Sequence, residues 1–352
     1  MKILVYGAGV LGSLYAARLA ESGQDVTLLA RGERLHEIRD HGLVMADTAT
    51  GQIKMVRINT LESLSPEDGY DLVMVCVRRN QLGDILPVLA ANKNTPNVLF
   101  MVNNAAGPGE MIEAIGHERV ILGFPGAAGT RGKLIVRYTL LPGWLQPTTV
   151  GELNGKRTPR LDAIQSAFCK AGFVTRRSHG IDAWLKTHAA IVSPLANAIY
   201  LAGGDTQRLA RTRDGLILTV RAIQENLQVL QSMGIPILPR LFNLLLIMPE
   251  PMIAWALGKI FTMRRMDLIV ARHANSARDE MSELADELRS LALQAGIATP
   301  AAEQLASFID LQQTPLAAGT RTLPMRWRGT AAMGLGLTAG LVALVWLFRR
   351  RP

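Results

Sequence analysis

Residues 2–29 read KILVYGAGVLGSLYAARLAESGQDVTLL, and their pattern indicates the fold of the first half of the chain. The apolar run at 2–6 predicts a short buried strand, and the pattern G-x-G-x-x-G follows it directly at 7–12. Apolar residues then recur at helical spacing, and 25–29 predicts a second strand. The order strand, glycine loop, helix, strand predicts a Rossmann-type dinucleotide site.

Each glycine of the motif has a separate predicted task in that site. Gly7 makes the tight turn, Gly9 lets the backbone approach a pyrophosphate, and Gly12 lets the helix pack closely on the strand. The N–H groups at the start of the helix bind the anion. An acidic residue that binds the ribose of NAD is missing after the second strand, where Arg31 stands with Arg34 close by. A guanidinium can bind a 2′-phosphate through two hydrogen bonds in a bidentate arrangement, so the predicted cofactor is NADPH.

Two further apolar runs, 70–77 and 97–102, have the composition of strands buried on both faces. Polar residues follow each run, and ligands of such sheets bind at the carboxyl ends of the strands. Arg78, Gln81 and Asn104 are therefore predicted site residues. Ordinary caps or turn residues are the alternative for each of them.

The second half of the chain is predicted to be helical. The fold class is α/β: a doubly wound Rossmann-type domain at 1–178, an all-helical domain for substrate binding and dimer contact at 179–320, and a tail at 321–352. Helices are predicted over three stretches: 181–201, 212–233 and 270–295. The apolar hairpin at 241–261 either packs within the domain or in a dimer, or rests on a membrane or covers the substrate.

The tail contains the sequence GTAAMGLGLTAGLVALVWLF at 329–348, twenty residues without a charge. This length spans the core of a bilayer, and tryptophan and arginine flank both ends, so a transmembrane helix is predicted. A buried C-terminal helix and a disordered tail are the alternatives. Six arginines and no acidic residue lie in 321–352, which leaves +3 of the total +9 on the rest of the chain. Basicity is thus no sign of nucleic-acid binding, and with 5% aromatic residues we expect no nucleic-acid partner. The two cysteines, Cys76 and Cys169, provide no metal-ligand cluster, so no metal is expected. A cytoplasmic body anchored to a membrane is the predicted localisation.

Reduction of a ketone by hydride transfer produces an alkoxide that needs a nearby acid. Lys186 lies in an otherwise apolar stretch and is the candidate, and helical spacing places Ser193 and Asn197 on the same side. The alternative is that the aliphatic part of Lys186 is buried while its ammonium reaches solvent.

These motifs together resemble the ketopantoate reductase (2-dehydropantoate 2-reductase) family over about residues 1–310. The resemblance implies that a Rossmann domain binds NADPH, that a helical domain closes over the ketoacid, and that hydride goes to the 2-keto carbon. It assigns the general acid to Lys186 and a substrate contact to Glu280. It also places Asn104 beside the nicotinamide and substrate, and Arg78 and Gln81 beside the NADPH phosphate.

The chain departs from the family pattern where the substrate binds. Ala190 stands where the family has asparagine, Ser193 only approximates a second asparagine, and the serine that binds the substrate carboxylate has no clear counterpart. Arg264, Arg265, Arg272 or His188 are candidates to replace it. The leading hypothesis is NADPH-dependent reduction of a 2-ketoacid in the pantothenate pathway. The alternatives are a reductase of a more apolar ketone and a non-catalytic NADPH-binding sensor at a membrane.

Overall fold

The computed structural model describes residues 1–263 and 271–327. These residues form two compact units. Unit 1 consists of the described residues of Met1–Ala189 and Leu268–Ser290, and unit 2 of those of Ala190–Asp267 and Leu291–Pro352. The sequence-based domain ranges stay a prediction.

The strands of the described residues all lie in unit 1: β1 Lys2–Tyr6, β2 Asp25–Leu29, β3 Leu43–Asp47, β4 Ile53–Val56, β5 Asn59–Leu61, β6 Leu72–Val75, β7 Val98–Phe100, β8 Val120–Phe124, β9 Ala127–Arg131, β10 Ile135–Leu140, β11 Thr148–Glu152 and β12 Thr175–Arg177. The helices of the described residues are α1 Val10–Glu21, α2 Gly32–His41, α3 Leu82–Ala91, α4 Gly109–Ile115, α5 Pro159–Lys170, α6 Ile181–Leu201, α7 Thr206–Arg211, α8 Arg213–Ser232, α9 Leu244–Ile247, α10 Glu250–Phe261, α11 Arg272–Ser276, α12 Arg278–Ala295 and α13 Pro300–Ala306.

The large sheet of unit 1 has the strand order β12-β11-β8-β7-β6-β1-β2-β5. The six strands from β8 to β5 are parallel, and β1 pairs with β2 from Lys2 opposite Asp25. Apolar clusters cover both faces of the sheet, which explains why the central strands are apolar without alternation. The predicted doubly wound α/β domain is confirmed.

A second sheet of four strands, in the order β4-β3-β10-β9, was not expected from the sequence. Its strand β4 is mostly exposed, with Ile53 and Met55 more than half accessible to solvent. The apolar residues at alternate positions of β4 thus face solvent, so the alternation there does not mark a buried face.

Unit 2 is helical, as predicted, and its centre is the buried helix α8. The Glu225 carboxylate of α8 accepts hydrogen bonds from the first N–H groups of α13, at Ala301 and Ala302. Another α8 residue, Asp214, accepts from the N–H groups of Thr322 and Leu323. These contacts fix the end of the described chain onto unit 2.

The predicted single helix over 270–295 is wrong in its described part. Helices α11 and α12 are separated at Ala277, whose φ of −128° and ψ of 38° lie outside the helical region. None of the helices described in 1–263 and 271–327 is long and apolar enough to cross a membrane. The predicted transmembrane helix at 329–348 lies outside the described residues.

Candidate active site

The glycine loop between β1 and α1 is held against the end of β6. Gly7 has a φ of +112°, and a Cβ there would lie 2.6 Å from the Cys76 carbonyl oxygen. A Cβ at Gly12 would lie 1.8 Å from the Gly7 carbonyl oxygen. Real Cβ atoms do not approach other atoms so closely, so both positions require glycine. Cys76 lies directly beneath this loop, and burial raises the pKa of its thiol to about 12.

Gly9 differs from the other two glycines because it faces open space. No described atom lies within 4 Å of the position that a Cβ would occupy there. Gly9 is also the N-cap of α1, and no side chain caps the helix. The free N–H groups and the open space above them fit a pyrophosphate, so this loop suits the predicted dinucleotide.

The two arginines after β2 have different surroundings. Arg31 is exposed at the start of α2 and donates a hydrogen bond of 2.9 Å to the Tyr6 hydroxyl. Arg34 is buried; its guanidinium donates to the Ala8 carbonyl oxygen at 3.4 Å and to Ser13 Oγ at 3.3 Å. Burial lowers the pKa of Arg34, although the neighbouring Glu37 opposes the shift. Arg34 therefore braces the glycine loop, while the Arg31 guanidinium faces solvent.

Arg78 and Gln81 lie in the loop after β6. The Arg78 guanidinium pairs with Asp279 at the start of α12, at 2.9 and 3.0 Å from the two carboxylate oxygens. The Gln81 amide oxygen accepts from the Arg78 backbone N–H at 3.2 Å. Burial raises the pKa of Asp279, but hydrogen bonds from its surroundings and the charge of Arg78 outweigh it and leave the pKa lowered. A phosphate ligand of Arg78 would compete with this carboxylate.

The loop after β7, residues 103–107, is closed by Asn104. Its side-chain amide donates to the Gly107 carbonyl oxygen at 2.9 Å, and its Oδ1 accepts from the Gly107 N–H at 2.8 Å. Asn104 is buried, and both ends of its amide are used within the loop. Its effect in the structure is to hold the shape of residues 103–107.

Lys186 lies in the second turn of α6 and is buried, with a side chain 8% exposed. Its ammonium pairs with both carboxylate oxygens of Asp182, one helical turn earlier. The loop passes directly beside this pair: a Cβ at Gly107 would lie 2.9 Å from Lys186 Nζ. The buried ammonium thus has one carboxylate partner and one glycine neighbour.

Two buried glutamates of α12 reach the same loop. Glu280 accepts a hydrogen bond of 2.8 Å from Asn103 Nδ2, and the buried Oδ1 of Asn103 has no partner among the described residues. Glu287 accepts from the N–H groups of Ala105 and Ala106 at 2.7 and 3.1 Å. Its other oxygen pairs with the buried Arg79. Helix α12 therefore supports the loop at two points, seven residues apart.

Unit 1 thus brings three of the predicted residues, Lys186, Asn104 and Glu280, to the loop at 103–107. Ser193 and Asn197 are buried on the part of α6 that belongs to unit 2. The candidate carboxylate partner His188 is packed between aromatic rings, 4.1 Å from Phe124 and 5.3 Å from Trp184 between ring centroids. Arg264 and Arg265 lie outside the described residues.

Sequence reasoning missed four residues that surround this loop: Asp182, Asn103, Arg79 and Glu287. A signal existed for Asp182, because an acidic residue four positions before a lysine pairs with it on a helix. The spacing of seven between Glu280 and Glu287 places both on one face of a helix, which was a second signal. No local signal marks Arg79, whose partners Glu110 and Glu287 both lie far from it in the sequence.

Residues 3–155 match the model of the family described as Ketopantoate reductase PanE/ApbA. The chain is 26% identical to a 2-dehydropantoate 2-reductase from Halobacterium salinarum over 318 residues, which are 89% of this chain and 99% of that protein. An oxidoreductase from Bacillus subtilis named YkpB is also 26% identical, over 68% of this chain and 78% of its own length.

Among solved structures, 2-dehydropantoate 2-reductase from Geobacter metallireducens is similar with a TM-score of 0.72 and 17% identity, over 88% of this chain and 99% of that chain. At this identity the likeness shows the fold, a Rossmann-like α/β domain followed by a helical region. The matches confirm the predicted class, an oxidoreductase with a nicotinamide cofactor. The chain is thus similar over most of its length to a 2-dehydropantoate 2-reductase, and its residues 3–155 match the ketopantoate reductase PanE/ApbA model.

Proposed function

We propose that this protein uses NADPH to reduce the keto group of a 2-ketoacid, such as 2-dehydropantoate, to a hydroxyl. One observation carries the proposal: the buried Lys186–Asp182 pair lies against Gly107, in the loop that follows β7. The glycine loop follows β1 in the same sheet, and both strands run in the same direction. An acid and a dinucleotide loop thus share the ligand-binding edge of the sheet.

The nicotinamide supplies the hydride when it is bound, and side chains of the protein donate the proton. As hydride reaches the keto carbon, negative charge develops on the keto oxygen, and Lys186 Nζ donates a proton to it. Asp182 positions the ammonium before transfer. The Asp182 side chain is 38% exposed, so the lysine regains its proton from solvent at this end of the pair.

The closed loop at 103–107 positions the lysine. Asn104 fixes Gly107, and Gly107 leaves space for the ammonium where any side chain would collide with it. Glu280 is proposed as a substrate contact, acting beside Asn103, whose unsatisfied Oδ1 is an acceptor for a hydroxyl. Ser193 and Asn197 stay candidate substrate contacts from the sequence; both are buried, and Asn197 Oδ1 lacks a partner among the described residues.

The preference for NADPH is proposed to come from Arg31. Its guanidinium is exposed at the carboxyl end of β2, the place where an acidic residue would bind the ribose hydroxyls of NAD. A 2′-phosphate would add a charge-assisted hydrogen bond to the one that Arg31 makes with Tyr6.

We further propose that residues 329–348 anchor the enzyme to a membrane as a transmembrane helix. The support comes from the sequence, since these twenty residues carry no charge and have arginine and tryptophan at both ends.

The test is a screen of 2-ketoacids, with ketopantoate first, in which the full chain in detergent is assayed for oxidation of NADPH and of NADH. We expect turnover with NADPH and a much lower rate with NADH. Lys186→Ala should lower kcat by about 10²-fold or more, the usual contribution of a general acid, and leave NADPH binding unchanged.

Lys170→Ala is the matched control, because this lysine is exposed at the end of α5 and should keep full activity. Failure of every ketoacid would reject the proposed reaction. Equal activity of the Lys186→Ala variant would remove Lys186 from the mechanism while leaving the reaction in place.

A further inference from the structure

Unit 2 carries an exposed apolar surface on two consecutive elements. On the first, the turn at 240–243 and α9, the exposed side chains are Leu241, Leu244 and Ile247, at 70%, 43% and 65% exposure. On α10, Met252 and Trp255 are exposed at helical spacing, at 41% and 68%. We call these five side chains the apolar face. Folded proteins seldom leave so much apolar surface in water without a use for it.

The exposed charged side chains of the same segment, residues 240–263, are all positive. Arg240 and Lys259 are exposed, and Lys259 continues the stripe of Met252 and Trp255 on α10. The one acidic residue of 240–263 is Glu250, which is buried and pairs with Arg221 at 2.7 Å. An apolar surface with exposed cations and no exposed acid is the composition of a helix that lies on an anionic bilayer.

The path of the described chain would bring a bilayer that contains residues 329–348 close to this surface. The Arg221 guanidinium donates to the Pro324 carbonyl oxygen, and the Arg326 N–H donates to Glu250 Oε1 at 3.0 Å. Glu250 is the first residue of α10, so the chain is fixed beside this helix three residues before the apolar stretch at 329–348. Three extended residues span about 10 Å. A membrane that contains 329–348 therefore begins within about 10 Å of the start of α10.

We infer that the apolar face lies in the interface of an anionic lipid bilayer. Trp255 is placed at the level of the headgroups, the leucine and isoleucine side chains enter the boundary with the acyl chains, and Arg240 and Lys259 bind lipid phosphates. The inference rests on the proposed anchor at 329–348. The face thus gives the enzyme a second, reversible contact with the membrane that its tail crosses.

Spin labels on the full chain test this placement. In a Cys169→Ser background, a single cysteine is introduced as Ile247→Cys or Trp255→Cys on the face, or as Leu293→Cys or Leu311→Cys elsewhere on unit 2. The two control positions are also apolar and are 76% and 82% exposed. Cys76 stays in place because burial, which raises its thiol pKa to about 12, leaves little reactive thiolate. The background protein measures any residual labelling.

The labelled proteins are reconstituted in phosphatidylcholine vesicles with and without phosphatidylglycerol. Collision of each label with oxygen and with a water-soluble nickel complex is then measured by electron paramagnetic resonance. We expect the ratio of oxygen collisions to nickel collisions to be several-fold higher at 247 and 255 than at the control positions 293 and 311. This difference should be larger with phosphatidylglycerol, because the cations of the face bind anionic lipid.

Other outcomes overturn the inference in distinguishable ways. If the nickel complex has full access to the label at 255 while the protein floats with the vesicles, the apolar face does not contact the membrane but the anchor at 329–348 stands. If the protein does not float with the vesicles, both proposals are rejected. Shielding of 255 from both reagents, equal in detergent and in vesicles, means that protein covers the face, either residues 329–348 or a second copy of the chain.

Discussion

A single methyl group added at Gly9 or at Gly12 has opposite expected consequences. At Gly9 the new Cβ meets open space, so Gly9→Ala should keep the melting temperature of the parent. The methyl group would instead stand where the pyrophosphate approaches, and we expect NADPH to bind at least about tenfold more weakly, or about 1.4 kcal/mol. At Gly12 the Cβ would collide with the Gly7 carbonyl, so Gly12→Ala should lower the free energy of unfolding by about 3 kcal/mol.

Thermal unfolding of both variants, without and with NADPH, separates these effects. The interpretation of the loop as a cofactor site fails if Gly9→Ala binds NADPH as tightly as the parent protein.

Gly107 offers a test of the space around the proposed acid. A Cβ there would press on the Lys186 ammonium at 2.9 Å, and the φ of +96° adds about 1 kcal/mol of backbone strain for alanine. Gly107→Ala should therefore reduce kcat by tenfold or more while the affinity for NADPH stays the same. Steady-state kinetics and cofactor titration measure the two quantities. Gly109→Ala is the control, because its Cβ meets no described atom within 4 Å and it should retain full activity.

The glycine motif could be interpreted from sequence because each glycine acts on atoms a few residues away or on the cofactor itself. Lys186 could be selected because a lysine among apolar residues is unusual. The role of Asn104 in closing its loop was not visible, since an asparagine side chain has many possible partners. The support from Glu287 depends on how α12 packs, which no short stretch of sequence specifies.

At the scale of elements, α12 provides a matched pair of charge tests. Glu287 is buried with Arg79, so Glu287→Gln removes the more buried of the two carboxylates that pair with this guanidinium, and it also disturbs the N–H groups of Ala105 and Ala106. Breaking a buried pair outright costs about 3–5 kcal/mol of folding free energy, and because Glu110 remains we expect a loss of about 2–3 kcal/mol. Asp286 next to it pairs with Arg289 on the exposed side of the helix, and Asp286→Asn should cost about 0.5 kcal/mol or less.

Urea unfolding of the two variants measures both costs. Similar losses from Glu287→Gln and Asp286→Asn would contradict the view that α12 supports the loop through its buried face.

Elements with strong apolar patterns were placed well: residues 2–6 and 25–29 form β1 and β2 as predicted, and 181–201 is a helix with those bounds. The small sheet was missed because β3 pairs with the distant β10 as well as with its neighbour β4, while β4 faces solvent. The break between α11 and α12 was missed because Ala277 is a good helix former, so only its backbone conformation shows it.

At the scale of the whole molecule, Asp214 links pH to the attachment of residues 322–323. Burial raises its pKa, but the hydrogen bonds from Thr322 and Leu323 outweigh it, and the pKa falls below the ordinary 3.8. A lowered carboxyl pKa adds stability at pH values above 3.8, and this contribution is lost as the pH falls through the lower, folded-state pKa. The free energy of unfolding should therefore decrease as the pH drops from about 5 to about 2, partly through this group.

Asp214→Asn should lose that part of the acid dependence, and urea unfolding at a series of pH values measures it. Asp310→Asn is the control, because Asp310 is an exposed carboxylate in the same unit. Identical pH profiles for the parent and Asp214→Asn would show that the contacts with 322–323 do not contribute to stability.

Cys76 makes thiol reactivity a measure of the state of the cofactor loop. The thiol lies beneath Gly7 and Gly12, and its raised pKa leaves little reactive thiolate. Cys76 is only partly accessible, so its alkylation should be slower than that of the exposed Cys169. A dinucleotide bound over the loop should lengthen this slow phase of thiol modification in the native protein, without any label or mutation.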